Sequence, residues 1–231
     1  MQIMAAQNIV QPTLQPPPLE NGDRLSRDEF ERRYSAMPQV KKAELIEGIV
    51  YMASPLRVKS HGYPHGVIMT WLGTYQIATP GVLFADNTTV QLDPDNEPQP
   101  DGLLMIEQGG QATISEDDYV VGAPELIVEV AASSAAIDMH SKLEAYQRNQ
   151  VQEYLVWQIY DNTFDWFRLR DGKYAQIPAN SEGIICSKIF PGLWLDKKAL
   201  LTGDFAKVLA VLQQGMATPE HQGFTEQLAQ T

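Results

Sequence analysis

Asp101 and Glu129 are carboxylates placed at the ends of apolar runs. Asp101 follows two prolines in EPQPDGLLMI (97–106) and opens straight into the run, and Glu129 lies near the C-terminal end of PELIVEV (124–130). Burying a bare carboxylate is very costly, so each must be solvated, paired or bound to a metal. Alternate side chains of a strand share a face, which puts Glu125, Ile127 and Glu129 on one side and Leu126, Val128 and Val130 on the other, with the even set expected in the core. Glu125 and Glu129 are roughly 13 Å apart at ~3.3 Å per residue, too far for one ion to take both directly. Asp101 and Glu129 meet if their strands are neighbours, and the chain between them is long enough for an antiparallel connection or a crossover. Two carboxylates converging at strand ends form a hard-oxygen site suited to magnesium or manganese. Such a site can generate a nucleophilic water and stabilise charge on a phosphoryl group. A nearby cation would help, and Lys142 is the candidate. It is spaced four residues from both Asp138 and Tyr146, so the three share one helix face.

Each of these residues also has a structural reading. Asp101 could cap a loop, Glu129 could pair with a base, and Asp138–Lys142 could be a surface ion pair worth ~0.3–0.5 kcal/mol. His61 and His65 in SHGYPHG have the i, i+4 spacing of a zinc pair. Gly62 and Pro64 argue against a continuous helix there, and no HExxH pattern exists, so a support or substrate-facing role for His65 is favoured. Trp157, Phe164, Trp166 and Phe167 could stack on bases, pack the strands that carry them, or face a dimer partner. The single cysteine, Cys186, is expected as a small half-buried residue, and one thiol rules out an internal disulfide or a thiolate metal cluster.

The elements that would position these groups can be read along the chain. Ser26 and Glu29 in LSRDEFERRY form a capping-box pattern opening a short helix. AELIEGIVYMASP reads as a hairpin about Glu47-Gly48. Val67, Ile68, Trp71, Leu72 and Tyr75 mark one face of a helix stopped by Thr79-Pro80-Gly81. GVLFADNTTVQLD reads as a strand pair or one bent strand, and DGLLMI and PELIVEV as compact strands. A helix follows from about Ile137 to Arg148, with Asn149 as its left-handed terminus. EYLVWQI, FDWFRLR and KYAQI form a meander turning at Asp161-Asn162 and Asp171-Gly172. DFAKVLAVLQQG is a closing helix with Asp204 as N-cap and Gly215 beyond its end. This order predicts a mixed sheet flanked by helices rather than a regular alternating arrangement.

Residues 1–22, rich in Gln and Pro, are expected to be a disordered arm, 23–215 the folded domain and 216–231 a flexible tail. The chain of 231 residues suits one sizeable domain. The first basic residue is Arg24, so the charged start of a secretory signal is missing and a cytoplasmic protein is expected. The uncharged window Val67–Ala85 holds too many polar and turn residues for a membrane span, and no membrane partner is expected. The net charge of -12 argues against a constitutive, charge-driven grip on nucleic acid. It leaves open an enzyme whose acids gather around divalent ions.

The segments ELIEG, EPQPDGLLMI, PELIVEV, KLEAYQRNQVQEYLVW and FPGLWLD, in this order, resemble the Uma-two family. That family of mostly bacterial, often cyanobacterial, proteins is assigned to the PD-(D/E)XK restriction-endonuclease-like superfamily. The resemblance covers most of residues 24–214. It implies an α/β fold with a restriction-endonuclease-like mixed central β-sheet flanked by helices, and metal-dependent endonuclease-like hydrolysis of nucleic-acid phosphodiester bonds, with DNA as the partner. Pro100-Asp101 matches the "PD" and Glu129 the "(D/E)". Asp101 and Glu129 would then hold Mg2+ or Mn2+, with Glu44 as a third acid. The superfamily lysine lies two residues after the acid, where this chain has Ala131, and the resemblance favours Lys142 as its migrated equivalent. Glu47 is expected in the turn. A homodimer would ease double-strand cutting. Two other readings stand beside this one: a catalytically silent binding or assembly protein on the same scaffold, and a hydrolase of small phosphorylated substrates. The acidic charge and Ala131 support the silent reading.

Overall fold

The computed structural model describes residues 15–53, 55–132 and 134–230. The chain runs α1 (Arg27–Ser35), β1 (Ala43–Ile46), β2 (Ile49–Met52), then a π-helical turn (Val58–Gly62) that continues into α2 (Tyr63–Ile77). Next come β3 (Val82–Asp86), β4 (Val90–Gln91), β5 (Gly102–Ile106), β6 (Thr113–Ile114), β7 (Val120–Val121) and β8 (Leu126–Ala131). A helical crossover follows, made of α3 (Ala135–Ile137), a second π-helical turn (Asp138–Lys142) and α4 (Leu143–Arg148). The rest is β9 (Glu153–Gln158), β10 (Thr163–Arg170), β11 (Lys173–Gln176), β12 (Ile184–Cys186), β13 (Trp194–Asp196), α5 (Lys197–Thr202), α6 (Phe205–Met216) and α7 (Pro219–Leu228).

Six strands form the central sheet in the order β11-β10-β9-β8-β5-β3. β8 and β9 are parallel, and the other neighbours in the sheet are antiparallel. A parallel pair cannot be joined by a tight turn, and the α3–α4 crossover makes that connection. The meander β9–β10–β11 turns where the sequence predicts. Asn162 has φ 49°, and Asp171 and Gly172 have φ 50° and 75°, the left-handed pair that suits a two-residue hairpin. Glu47 and Gly48, at φ 53° and 70°, do the same for β1–β2.

β8 is buried on both faces. Leu126, Val128 and Val130 pack with Trp71 and Leu72 of α2 and Leu212 of α6. Ile127 and Ala131 pack with Tyr146 and Tyr154 on the opposite face. The odd face, expected to be the less apolar one, is therefore a second core, and Glu129 stands inside protein on it. Phe164 and Trp166 are fully buried, so they pack the sheet and are closed to stacking on bases.

Several local expectations need correction. Ser26 precedes α1, but its side chain makes no cap bond. Glu29 turns instead to Arg32 and Arg33, at 2.7 and 2.6 Å. The charged guanidinium groups outcompete a neutral backbone N–H for that carboxylate. After α4 the left-handed residue is Gln150 (φ 67°), not Asn149. Gly215 lies inside α6, where a Cβ would collide with the Gly192 carbonyl and the Trp194 ring, so it serves close packing and not helix termination. GVLFADNTTVQLD is divided between two sheets, β3 in the central one and β4 in a three-stranded sheet with β6 and β7.

Of the arm expected over 1–22, residues 1–14 lie outside the described residues. Leu19 is buried beside Phe30 and Leu45, and Gly22 N–H donates to Val50 O at 2.8 Å, so the packed chain starts before residue 23. Residues 216–231 were expected as a loose tail, yet α7 fills most of this stretch and buries His221, whose Nε2 lies 2.9 Å from Thr79 Oγ1. The spacing of Phe224 and Leu228 supplies an apolar edge that packs on the main core.

Candidate active site

The register of β5 against β8 sets Gly102 opposite Val128, so Asp101, one step before β5, falls beside Glu129. Asp101 is buried at this sheet margin and its Oδ2 accepts the Val130 N–H at 2.7 Å. Its Oδ1 faces His61 Nε2 at 3.6 Å and Lys42 Nζ at 3.9 Å, both longer than a hydrogen bond. The prolines at 98 and 100 hold the approach extended, and Glu97 exchanges two backbone hydrogen bonds with Leu45, which ties the approach to β1.

Lys142 reaches Glu129 from the crossover. Its Nζ lies 2.9 Å from Glu129 Oε1, 2.9 Å from Glu44 Oε1 and 3.6 Å from Asp138 Oδ1. Tyr146 O–H donates to the same Glu129 Oε1 at 2.9 Å. Of these five side chains, four are buried and Glu44 is nearly so. The Asp138–Lys142 pair is thus an interior pair, not a helix-surface one. The π-helical turn at 138–142 widens the backbone where Asp138 and Lys142 point inward, and π turns of this kind recur at functional sites. Ala131, two residues after Glu129, is buried in the second core.

Glu44 enters from β1, and its Oε1 also accepts the Gln99 N–H at 2.7 Å. Glu47 sits in the turn and pairs with Arg148 Nη2 at 2.6 Å. Glu125 is structural, since its two oxygens take the Ile106 and Gln111 N–H groups at 2.9 and 2.7 Å.

The charges do not balance evenly. Burial pushes the Glu129 carboxyl up to about 8; Lys142 opposes this, while Asp138, Asp101 and Glu44 add to it. Burial also raises Asp138, against the pull of Lys142. Burial would raise Glu44 as well, but Lys142 and Lys42 outweigh it and its carboxyl lies below the ordinary range. Burial works against the Lys142 charge, yet Glu129, Glu44 and Asp138 together hold it protonated far into alkali. Three acids lie within 4 Å of one buried ammonium, and the crowding is relieved by raised proton affinity at Glu129 and Asp138.

His61 and His65 also differ from expectation. The π-helical turn and α2 form one continuous helical run despite Gly62 and Pro64, because Pro64 falls in the first turn, where its missing N–H costs nothing. The two rings stack at 5.4 Å. His61 Nδ1 lies 3.2 Å from Val130 O, which can only accept, so Nδ1 carries the proton and Nε2 is the edge turned to Asp101. His65 lies 3.3 Å from Asp86 Oδ1, away from Asp101. Sequence reasoning gave His61 and Lys42 no role at the acids. A signal existed for Lys42: it precedes Glu44 by two positions, and alternate residues of a strand share a face.

The donors suit a divalent ion by their chemistry. They are hard oxygens crowded about one ammonium, and the buried Asp138 Oδ1 has no hydrogen-bond partner among the described residues. No group of three or more His, Cys, Asp or Glu among the described residues is arranged to hold an ion. The fold offers the carboxylate pair Asp101–Glu129, and magnesium is commonly held by one or two carboxylates with its remaining positions on water and phosphate.

Sheet, crossover and flanking helices define a nuclease-like mixed α/β fold, and a solved structure shares it. The crystal structure of a putative nuclease belonging to DUF820 from Anabaena variabilis ATCC 29413 is similar with a TM-score of 0.55 and 12% identity, over 74% of this chain and 96% of that one. The chain belongs to the Uma2 family, whose description is "Putative restriction endonuclease" and whose pattern matches residues 27–198. No curated protein matches the sequence. Among the described residues, no helix is long and apolar enough to cross a membrane.

Proposed function

We propose that this protein is a metal-dependent endonuclease-like hydrolase of nucleic-acid phosphodiester bonds. One observation carries the reading: Asp101 and Glu129 come together across β5 and β8, with Lys142 Nζ 2.9 Å from Glu129. Asp101 and Glu129 would hold Mg2+ or Mn2+ through carboxylate oxygens, with Glu44 as a neighbouring acid. The ion would supply a nucleophilic water at neutral pH and neutralise charge on the phosphoryl group.

The chain's own groups divide the remaining work. The Val130 N–H fixes Asp101 Oδ2 and leaves Oδ1 facing His61 and Lys42. Tyr146 O–H and Lys142 fix Glu129 Oε1. Lys142 stays charged at working pH and is set to orient the attacking water or the scissile phosphate. His61 and Lys42 stand at the Asp101 edge, where an incoming phosphate would approach. We extend the proposal to DNA as the substrate, to a homodimer for double-strand cutting, and to a cytoplasmic setting.

A catalytically silent scaffold has one observation of its own. Lys142 and Tyr146 already occupy Glu129 Oε1, and Glu129 holds its proton to about 8. Calorimetric titration with Mn2+ separates the two readings. The hydrolase requires binding that Asp101→Asn abolishes, together with Mn2+-dependent cleavage lost in the same variant. Absence of Asp101-dependent binding supports the silent scaffold. Inorganic phosphate or small phosphoesters displacing oligonucleotides would instead support a small-substrate hydrolase.

A further inference from the structure

Between Glu47 and Asp86 the chain carries no acidic residue, although Asp and Glu together number 29 in the whole sequence. The same stretch carries Arg57, Lys59, His61 and His65. In a protein of net charge -12 this makes one locally basic segment, and His61 within it faces Asp101 Oδ1 at 3.6 Å. Arg57 and Lys59 are exposed, and so are Leu56 (71%), Val58 (77%) and Tyr63 (60%). Exposed bases interleaved with exposed apolar and aromatic side chains form a surface for phosphates and unstacked rings together.

A groove opens beside this segment. Its cavity of ≈ 320 Å³ lies between α2 and α6 and is lined by Gly62, Tyr63, Gly66, Trp71, Phe205 and Leu209, among others. That volume is at the small end of ligand sites. Tyr63 and Phe205 meet edge to face at 5.7 Å. A Cβ on Gly62 or Gly66 would touch nothing within 4 Å, so the two glycines leave the floor open. His61, one residue before Gly62, is turned to the acids, so groove and acids lie on adjoining faces of one helical run.

We propose that this groove seats an unpaired nucleobase of single-stranded nucleic acid, while Arg57 and Lys59 hold the adjoining phosphates and lead the strand to the acids. The inference rests on the nuclease reading of the acidic site and assigns its substrate form. Charge complementarity selects the partner, since the basic segment adjoins the apolar groove in an otherwise acidic protein. The groove selects single strands because a paired base keeps its faces inside the stack and cannot offer one to the protein.

The test is fluorescence anisotropy with the full chain and no divalent ion, comparing labelled oligothymidine with a blunt duplex of equal length. Oligothymidine should bind about tenfold more tightly than the duplex, and Gly66→Leu, which fills the groove, should weaken it about tenfold without lowering the melting temperature. Arg57→Ala and Lys59→Ala should each reduce the salt slope by about 0.7. The salt slope alone decides should Gly66→Leu fail to fold. Equal binding of strand and duplex, unchanged binding by Gly66→Leu, or unchanged salt slopes would overturn the proposal. So would a concentration-dependent dimer that Gly66→Leu abolishes while oligonucleotide binding persists. Selective binding without any Mn2+-dependent cleavage would remove the nuclease reading alone, and cleavage without strand selectivity would remove this one alone.

Discussion

Lys142 Nζ stands 2.9 Å from Glu129 Oε1 and the same distance from Glu44 Oε1, so one buried ammonium joins the central strand β8, the hairpin strand β1 and the crossover helix. β1 is remote in sequence from the other two, so the ammonium ties the N-terminal hairpin to the β8–crossover unit. The ammonium is therefore a structural keystone as well as a candidate catalytic group.

Removing it should be costly. Lys142→Met leaves Glu129, Glu44 and Asp138 buried without their cation, and breaking a buried pair in this way costs about 3–5 kcal/mol. Urea denaturation at pH 8 should show that loss, and at pH 5.5 a smaller one, because Glu129 and Asp138 hold their protons more readily there. An equal loss at both pH values would contradict the charge assignment.

Asp101→Asn should separate chemistry from folding. The amide oxygen can still accept the Val130 N–H, so the melting temperature should stay within a few degrees. Losing an anionic ligand should abolish Mn2+ binding in calorimetry and cleavage in a gel assay. Cleavage at the parental rate would dismiss Asp101 from the site.

Stability should fall as pH rises from about 5 to about 9. Glu129 is raised to about 8 and Glu97 to about 9, the latter by burial and by the neighbouring Glu31 carboxyl, against an ordinary 4.5. Across that window the folded protein binds more protons than the unfolded one, so stability declines with pH. Glu44, Asp93 and Asp196 are lowered and act oppositely; their contribution is present above about 4 and lost in acid. Melting temperature should therefore be highest near pH 5. Saturating Mn2+ should flatten the alkaline decline, since the ion takes over the role of the Glu129 proton. A melting temperature that climbs steadily to pH 9 without metal would refute the assignment.

Two glycines should respond in opposite directions to alanine. In α6, Gly215→Ala drives a methyl into the Gly192 carbonyl and the Trp194 ring and should cost about 1–3 kcal/mol. In α2, Gly66→Ala meets open space and should stabilise by about 0.5–1 kcal/mol through helix propensity. Thermal melts of the two variants check both signs.

Much of the architecture was legible because it is set locally. The β1–β2 hairpin follows from Glu47-Gly48, the β10–β11 turn from Asp171-Gly172, and the buried face of α2 from the spacing of Ile68, Trp71, Leu72 and Tyr75. Each depends on backbone preference or on period within one segment. The α7 helix was missed because its apolar edge is sparse; it is held by packing on the core, which no local period announces.

For the site, the chain order supplied the candidates Asp101, Glu129, Lys142 and Glu44, because carboxylates at the ends of apolar runs need a partner and a basic residue stood one crossover away. It could not supply the second core that buries Glu129, the π turn that aims Lys142 inward, or the approach of His61 and Lys42 to Asp101. Those depend on which strands become neighbours and in what register, a choice made by the whole sheet. Burial then decides the electrostatics: spread along a solvated chain these acids would keep their ordinary protons, whereas enclosure raises Glu129 and Asp138, and the gathered acids hold Lys142 charged against the burial that opposes it.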